Sequence, residues 1–110
     1  AFLTALILSG LPMHEFSFEG FFPVKEGQKR KKLLTCKDQK RTVIFYESPH
    51  RFLKTLGLIK EVLGDVEIVV ARELTKKFEE VTRKKVSEIM AHFSGKKILG
   101  EFVILLNTKK

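Results

Sequence analysis

The chain has 110 residues, of which 44% are hydrophobic, a size that allows one modest hydrophobic core but not two. Cys36 is the only cysteine, which excludes an intramolecular disulfide and favours a reducing, cytoplasmic setting. With 21 Lys and Arg against 13 Asp and Glu, the formal net charge of +8 favours a polyanionic partner, above all nucleic acid. The same charge is compatible with lysines that serve only solubility.

The apolar opening run predicts a core helix over residues 1–9, closed by Gly10 and Pro12. The run is far shorter than the roughly 20 residues that span a bilayer, so we expect no membrane segment. It also begins without a cap residue, as though the sequence were entered partway through a helix. We therefore expect the chain to be a fragment of a longer protein.

Three elements are predicted next. Aromatic residues alternate with polar ones over 16–22, which predicts a half-buried strand. Residues 28–37 predict a short helix with one apolar edge and a strongly cationic exposed face. The β-branched and aromatic run over 42–46 predicts a strand that is buried on both faces.

The rest of the chain completes the predicted pattern. Ser48 is a good N-cap for a helix whose apolar residues recur at helical spacing up to Leu63. The remaining elements are a strand over 66–71, a short edge strand over 81–83, a helix over 86–93 and a strand over 102–106. The order α-β-α-β-α-β-β-α-β predicts an α/β domain with a mixed, roughly five-stranded sheet flanked by helices.

Polar side chains follow two of the predicted buried strands. Glu47, Ser48 and Arg51 come after one strand, and Arg72 and Glu73 come after the next. Ligands in open α/β sheets bind just outside the carboxyl ends of strands, so this location predicts a functional site. The structural alternative is that Ser48 only caps its helix and that Glu47 and Arg72 pair across neighbouring loops.

The densest positive charge is the basic block, Lys29, Arg30, Lys31 and Lys32. It lies within positions 25–41, which hold eight positive charges in seventeen residues. Such a patch suits RNA phosphates, although a charge run can also be a solvated helix face.

Other chemistries find no support in the sequence. The three histidines are far apart and there is one cysteine, so we expect no metal site. The sequence also contains no nucleophile elbow, no phosphate-binding glycine loop and no dinucleotide fingerprint.

Four strings carry a resemblance to a known family: "SGLPMHEFSFEGFFPVK", "TVIFYESPHR", "VVARELTKKFEEV" and "GEFVIL". In this order they resemble the C-terminal half of the ribosomal RNA small-subunit methyltransferase I branch of the tetrapyrrole-methylase superfamily. The resemblance implies that residues 1–110 form the single C-terminal domain of a two-domain enzyme whose N-terminal domain is absent here. It implies S-adenosyl-L-methionine in the cleft between the domains and methyl transfer to the 2′-hydroxyl of a cytidine in small-subunit ribosomal RNA. The isolated chain is then expected to be inactive, and homodimerisation is a further implication.

The resemblance also implies roles for particular residues. Residues expected to approach the cofactor are Ser9, Gly10, Leu11, Pro12, Tyr46, Glu47, Ser48, Gly100, Glu101 and Phe102. By position, Glu47, Glu73 and Lys76 are candidates for a base, or for a cation that stabilises a developing alkoxide. Arg51 and Arg72 would bind RNA phosphates or orient Glu47 and Glu73, while the basic block would bind more distant RNA.

One departure from the family pattern and two alternatives remain. Shortly after "EEV" the family places a glycine, whereas this sequence has Lys84 and Lys85 after Arg83, and a turn with positive φ would be strained by lysine. The first alternative function is methylation of a tetrapyrrole ring, against which the net charge argues. The second is a non-catalytic RNA-binding module, which predicts no response to S-adenosylmethionine.

Overall fold

The computed structural model describes residues 16–38, 42–74, 77–95, 98 and 100–107. The predicted helix over residues 1–9 and the loop that contains Ser9, Gly10, Leu11 and Pro12 lie outside these ranges, as does Lys76. The described strands are β1 (Phe16–Phe21), β2 (Thr42–Glu47), β3 (Glu67–Leu74), β4 (Lys77–Lys85) and β5 (Glu101–Asn107). The described helices are α1 (Glu26–Lys37), α2 (Phe52–Leu63) and α3 (Val86–Phe93).

The strands form one mixed sheet in the order β1-β2-β5-β3-β4. β1 and β2 are parallel and are joined through α1, whereas the β2-β5, β5-β3 and β3-β4 pairs are antiparallel. A parallel pair needs a crossover connection, which is why the sequence places a helix between these two strands. The predicted α/β class with a mixed five-stranded sheet is confirmed.

A register shift interrupts the β1-β2 ladder between Phe18 and Phe21. Gly20 lies within the shift at φ 74°, a left-handed conformation that glycine adopts without steric cost. The irregularity leaves Phe18 and Phe21 exposed while the next residue, Phe22, is buried. Phe22 stacks on Phe45 with 3.8 Å between the ring centroids.

The main core lies between the sheet and the three described helices. Alternate strand residues such as Val43, Phe45, Val70 and Ile104 point to this side, which we call the helix-covered face. A second cluster fills the opposite face of the sheet; its buried members are Ile44, Val69, Ala71, Val103 and Leu105. The strands are therefore buried on both faces, as their continuous apolar runs predict.

The end of the sequence departs from two expectations. The edge strand predicted over 81–83 is the nine-residue strand β4, which pairs with β3 along its length. No turn follows it, since β4 runs directly into α3 and Lys85 caps that helix at φ −64°. A lysine here is therefore not forced into positive φ, and the strain expected from the family comparison at this point does not arise.

None of the helices within the described residues has the length and apolar character needed to cross a membrane.

Candidate active site

The polar strand ends meet at one end of the sheet. Glu47 of β2 pairs with Phe102 of β5, and Phe102 pairs with Arg72 of β3. Directly paired residues point to the same face, and Phe102 belongs to the core under the helices, so all three side chains lie on the helix-covered face. Neighbouring strands are about 4.8 Å apart, which places Glu47 and Arg72 roughly 10 Å from each other.

Glu47 is fully buried and surrounded by donors. Its Oε1 accepts hydrogen bonds from the backbone N–H of Ser48 at 2.9 Å and from Nε of Arg51 at 3.3 Å. Its Oε2 accepts the hydroxyl of Thr55 at 2.6 Å and lies 3.5 Å from Nζ of Lys29. Lys29 in turn donates to the Thr55 hydroxyl at 2.7 Å.

This network fixes the connection between β2 and α2. Glu47 is the last residue of the strand, Ser48 and Arg51 belong to the loop, and Thr55 belongs to the first turn of the helix. Because a buried carboxylate is stable only when it is paired and hydrogen-bonded, the loop is held in one conformation around it. The Glu47 carboxylate presents no exposed oxygen to a substrate, so its geometry fits a positioning residue and not a base.

The prediction that Lys29 faces RNA is wrong. Its side chain is 3% exposed and points inward, on the same side of α1 as Leu33 and Cys36. Residues separated by four and by seven share one face of a helix, which is the physical reason for the burial. On this face burial raises the pKa of the Cys36 thiol to about 11, so the thiol stays protonated at neutral pH.

The prediction that Ser48 caps α2 is also wrong. The N-cap position is Arg51, and no side chain makes a capping hydrogen bond there. Ser48 instead begins a turn in which its carbonyl accepts the N–H of Arg51 at 3.2 Å. Its Oγ is buried and has no hydrogen-bond partner in the described structure. A buried hydroxyl without a partner is unfavourable, and it needs an explanation such as a bound ligand.

Arg72 is the second group with an unmet hydrogen bond at this end of the sheet. Its Nε is buried and has no partner in the described structure, while its guanidinium carbon lies 5.8 Å from the centroid of the Phe93 ring. The alternative in which Glu47 and Arg72 pair with each other is not observed. Phe102 lies between them, and the partners of Glu47 are Lys29 and Arg51.

The other residues expected near the cofactor fall into separate positions. Phe102 is fully buried and stacks on Phe52 at 3.8 Å, so only its backbone faces the sheet end. Glu101 is exposed, and Gly100 precedes it with a φ of 85°. Tyr46 points to the opposite face from Glu47, where its ring contacts Phe18 and Phe21. Glu73 pairs through its backbone with Glu101, and its side chain is not among those described.

The rest of the basic block is partly neutralised by the chain's own carboxylates. Arg30 lies 3.1 Å from Glu61 and 3.7 Å from Glu26, and the hydrogen bond to Glu61 raises the pKa of Arg30. Lys32 lies 2.5 Å from Glu19. Lys31 is exposed and is in no ion pair of the described structure, which makes it the most available cation of the four.

Sequence reasoning missed the roles of Lys29 and Thr55, although both carried a signal. Thr55 falls in the apolar stripe of α2, between Phe52 and Ile59 at helical spacing. Lys29 falls in the corresponding stripe of α1. A polar residue on the apolar face of a helix implies a buried partner, and Glu47 at the end of the buried strand β2 is an acid within reach.

Within the described residues, a mixed sheet carries helices on one face and unpaired buried polar atoms at its end, an arrangement typical of ligand-binding α/β domains. The family model described as Tetrapyrrole (Corrin/Porphyrin) Methylases matches residues 1–90, and the chain belongs to that family. The fold agrees with the crystal structure of the methyltransferase CobJ, with a TM-score of 0.65 and 19% identity over 97% of this chain and 47% of that one.

Relatives with higher identity are named ribosomal RNA small subunit methyltransferase I. The protein from Thermotoga maritima is 45% identical over the whole chain, and the one from Bacillus subtilis is 45% identical over 96% of it. The chain spans 49% of the length of the first relative and 36% of the second. It is therefore similar to about half, or somewhat less, of these proteins.

Proposed function

We propose that this chain forms one wall of the S-adenosyl-L-methionine cleft of a methyltransferase that acts on small-subunit ribosomal RNA in the cytoplasm. In this proposal the acceptor is the 2′-hydroxyl of a cytidine, and a second, N-terminal domain of the same protein supplies the other wall. We further propose that two copies of the protein form a dimer. Belonging to a methylase family and 45% identity to relatives named as ribosomal RNA methyltransferases support the proposal.

The observation that carries the proposal is a pair of buried polar atoms at the sheet end that have no partner among the described residues, Oγ of Ser48 and Nε of Arg72. Ser48 can donate to or accept from a polar ligand, while Arg72 offers a cation. S-adenosylmethionine carries both a carboxylate and several hydrogen-bonding groups, so these residues fit it. The cofactor supplies an electrophilic methyl group on a sulfonium.

The residues of this chain would act mainly by positioning. Methyl transfer from a sulfonium is an in-line displacement, so alignment of the acceptor oxygen in a closed cleft lowers the barrier. The network around Glu47 holds the backbone of Ser48 and the side chain of Arg51 at fixed places beside the cleft. As the acceptor oxygen bonds to the methyl carbon it must lose its proton, and Glu73 and Lys76 stay our candidates for assisting that step.

The direct test is transfer of labelled methyl groups from S-adenosylmethionine to unmodified small ribosomal subunits by the full-length protein. We expect label on the ribose 2′-oxygen of a cytidine, located by mapping the labelled nucleotide. Label on a corrin or porphyrin and none on RNA would replace the proposal with the tetrapyrrole alternative. Absence of both cofactor binding and transfer would leave a non-catalytic RNA-binding module.

A variant test addresses the role of Ser48. Because its hydroxyl has no partner in the described structure, Ser48→Ala should leave the free energy of unfolding within about 0.5 kcal/mol of the parent. Loss of one hydrogen bond to the cofactor should weaken S-adenosylmethionine binding by about tenfold. Calorimetric titration and urea unfolding of the same preparation measure the two quantities. Unchanged cofactor affinity would remove Ser48 from the site.

A further inference from the structure

An open groove with a volume of about 410 Å³ lies between β4 and α3, and we call it the β4-α3 groove. Ile89 and Phe93 line its floor, and both are buried. Lys84 and His92 line its rim and are exposed, whereas the Arg83 side chain points away, because its partner Val69 belongs to the cluster on the opposite face of the sheet. None of the described residues that line the groove is acidic. The groove therefore places the positive charge of Lys84 above an apolar floor.

The charge on this rim is less neutralised than the charge on α1. Arg83 lies 2.5 Å from Glu67 on the neighbouring strand, but Lys84 is in no ion pair within the described residues. Lys84 pairs with Ile68, whose side chain lies on the helix-covered face, so the Lys84 side chain is on the same side as α3. Its ammonium is available to an anion that enters the groove.

The edge of the sheet adds a second kind of donor. β4 is the outer strand at one edge of the described sheet, so the outward-facing backbone N–H groups along it pair with no other described strand. Backbone N–H groups are frequent partners of nucleic-acid phosphates. Residues 81–84, which line the groove, are consecutive and so present such groups beside the lysine.

The groove also leads toward the candidate active site. Lys84 pairs with Ile68 near the start of β3, whereas Arg72 lies near the end of that strand. Lys84 is therefore at the end of the sheet that is far from Arg72. α3 starts at that far end and ends at Phe93, whose ring lies under the Arg72 guanidinium. The eight residues of α3 span about 12 Å. A polymer lying in the groove would therefore pass from Lys84 to Arg72.

We propose that the β4-α3 groove binds the phosphate backbone of the RNA substrate and directs the strand toward the Ser48 and Arg72 end of the sheet. This inference rests on the RNA substrate of the proposed function. An acidic peptide would match the charge of the rim, but it would not require a continuous path to the methyl-transfer site. The favoured occupant is thus RNA, with Lys84 as a direct phosphate contact.

Lys84→Glu in the full-length protein tests the proposal, with Lys54→Glu as the matched control. Lys54 is an exposed lysine on α2 that does not line the groove, so the control carries the same change in net charge. The dissociation constant for unmodified small ribosomal subunits is measured between 50 and 200 mM salt. Lys84→Glu should raise it about threefold to tenfold at 50 mM salt and lower the salt slope by about one, and Lys54→Glu should change it less than twofold.

The outcomes separate this proposal from the proposed function. Equal effects of the two variants on affinity and salt slope overturn the groove proposal, even if the parent protein methylates RNA. A selective effect of Lys84→Glu supports it, even if the parent protein transfers no methyl group. Binding of a polyglutamate peptide that depends on Lys84, with no selective effect on RNA, would assign the groove to an acidic protein and overturn the proposal. Matching thermal unfolding of the variants excludes misfolding as the cause.

Discussion

The basic block of α1 and the basic end of β4 are similar in sequence but different in structure. Residues 29–32 are four consecutive cations, and 83–85 are three. In α1 the first cation is buried against Glu47, and the second and fourth pair with Glu61 and Glu19. At the end of β4 only Arg83 has an ion-pair partner among the described residues. A run of positive charge in a sequence therefore does not by itself give a positive surface.

The difference follows from which secondary structure carries the charges. A helix distributes consecutive side chains around its axis, so one cation of a run of four faces the core, two meet acids on neighbouring elements and only Lys31 stays unpaired among the described residues. An outer strand that borders a groove keeps its side chains on two faces and exposes its edge. The shorter run on β4 is thus the better candidate for RNA contact.

The largest expected effect is that of removing the buried cation of α1. Lys29→Ala would leave the buried Glu47 carboxylate without its ammonium partner, and should lower the free energy of unfolding by about 3 kcal/mol. Adding Glu47→Gln should restore a large part of this loss, because the uncompensated charge is then gone. Urea unfolding of the single and double variants measures both values.

Lys31→Ala is the control for this measurement, since the exposed Lys31 should change stability by less than about 0.5 kcal/mol. The RNA affinity of folded Lys29→Ala should equal that of the parent protein. A loss of RNA affinity at full folding would mean that Lys29 reaches the RNA after all, and the contrast between the two basic regions would fail.

A smaller effect is expected from comparing two neighbours in the basic block. Lys31→Ala should weaken RNA binding about twofold to threefold and lower the salt slope by somewhat less than one, because an exposed cation is lost. Arg30→Ala should have less effect, because Glu61 already neutralises Arg30. The ratio of the two dissociation constants at 50 mM salt is the measurement. A larger effect for Arg30 would show that its ion pair opens to bind phosphate.

The fold was accessible from the sequence because its signals are local. The continuous apolar run at 42–46 and the stripe of α2 each specify one element, and helices between strands specify the crossover. The length of β4 was underestimated, since only three of its nine residues have a sequence typical of a strand. The remaining residues are extended because they pair with β3.

The candidate site was accessible only in outline. The position of Glu47 and Ser48 after a buried strand predicted where the site lies, but not what each residue does. Whether Ser48 caps a helix, or whether Lys29 is buried, depends on contacts between elements that are far apart in sequence. Secondary-structure propensity and hydrophobic periodicity carry no information about such contacts. Composition likewise treats all four cations of the block alike.

The smallest expected effect concerns Asp65, a carboxylate beside the basic end of β4. Among the described residues it forms no ion pair with the lysines; it accepts hydrogen bonds from the backbone N–H of Ser87 at 2.7 Å and from the Ser87 hydroxyl at 2.6 Å. These bonds, with smaller contributions from the charges of Lys60 and Lys85, lower the pKa of Asp65. An acid at the first turn of α3 also complements the helix dipole.

Asp65→Asn tests this arrangement because asparagine keeps an acceptor oxygen but loses the charge. A lowered pKa in the folded state means that the ionised form stabilises the fold above the ordinary Asp range, and that this stabilisation is lost as pH falls through the folded-state pKa. The variant should therefore be slightly less stable than the parent at pH 7, and the difference should shrink on acidification. Urea midpoints of both proteins at neutral and acidic pH check this. A constant difference would show that the Asp65 charge contributes nothing, so that hydrogen bonding alone keeps this carboxylate from pairing with the lysines of β4.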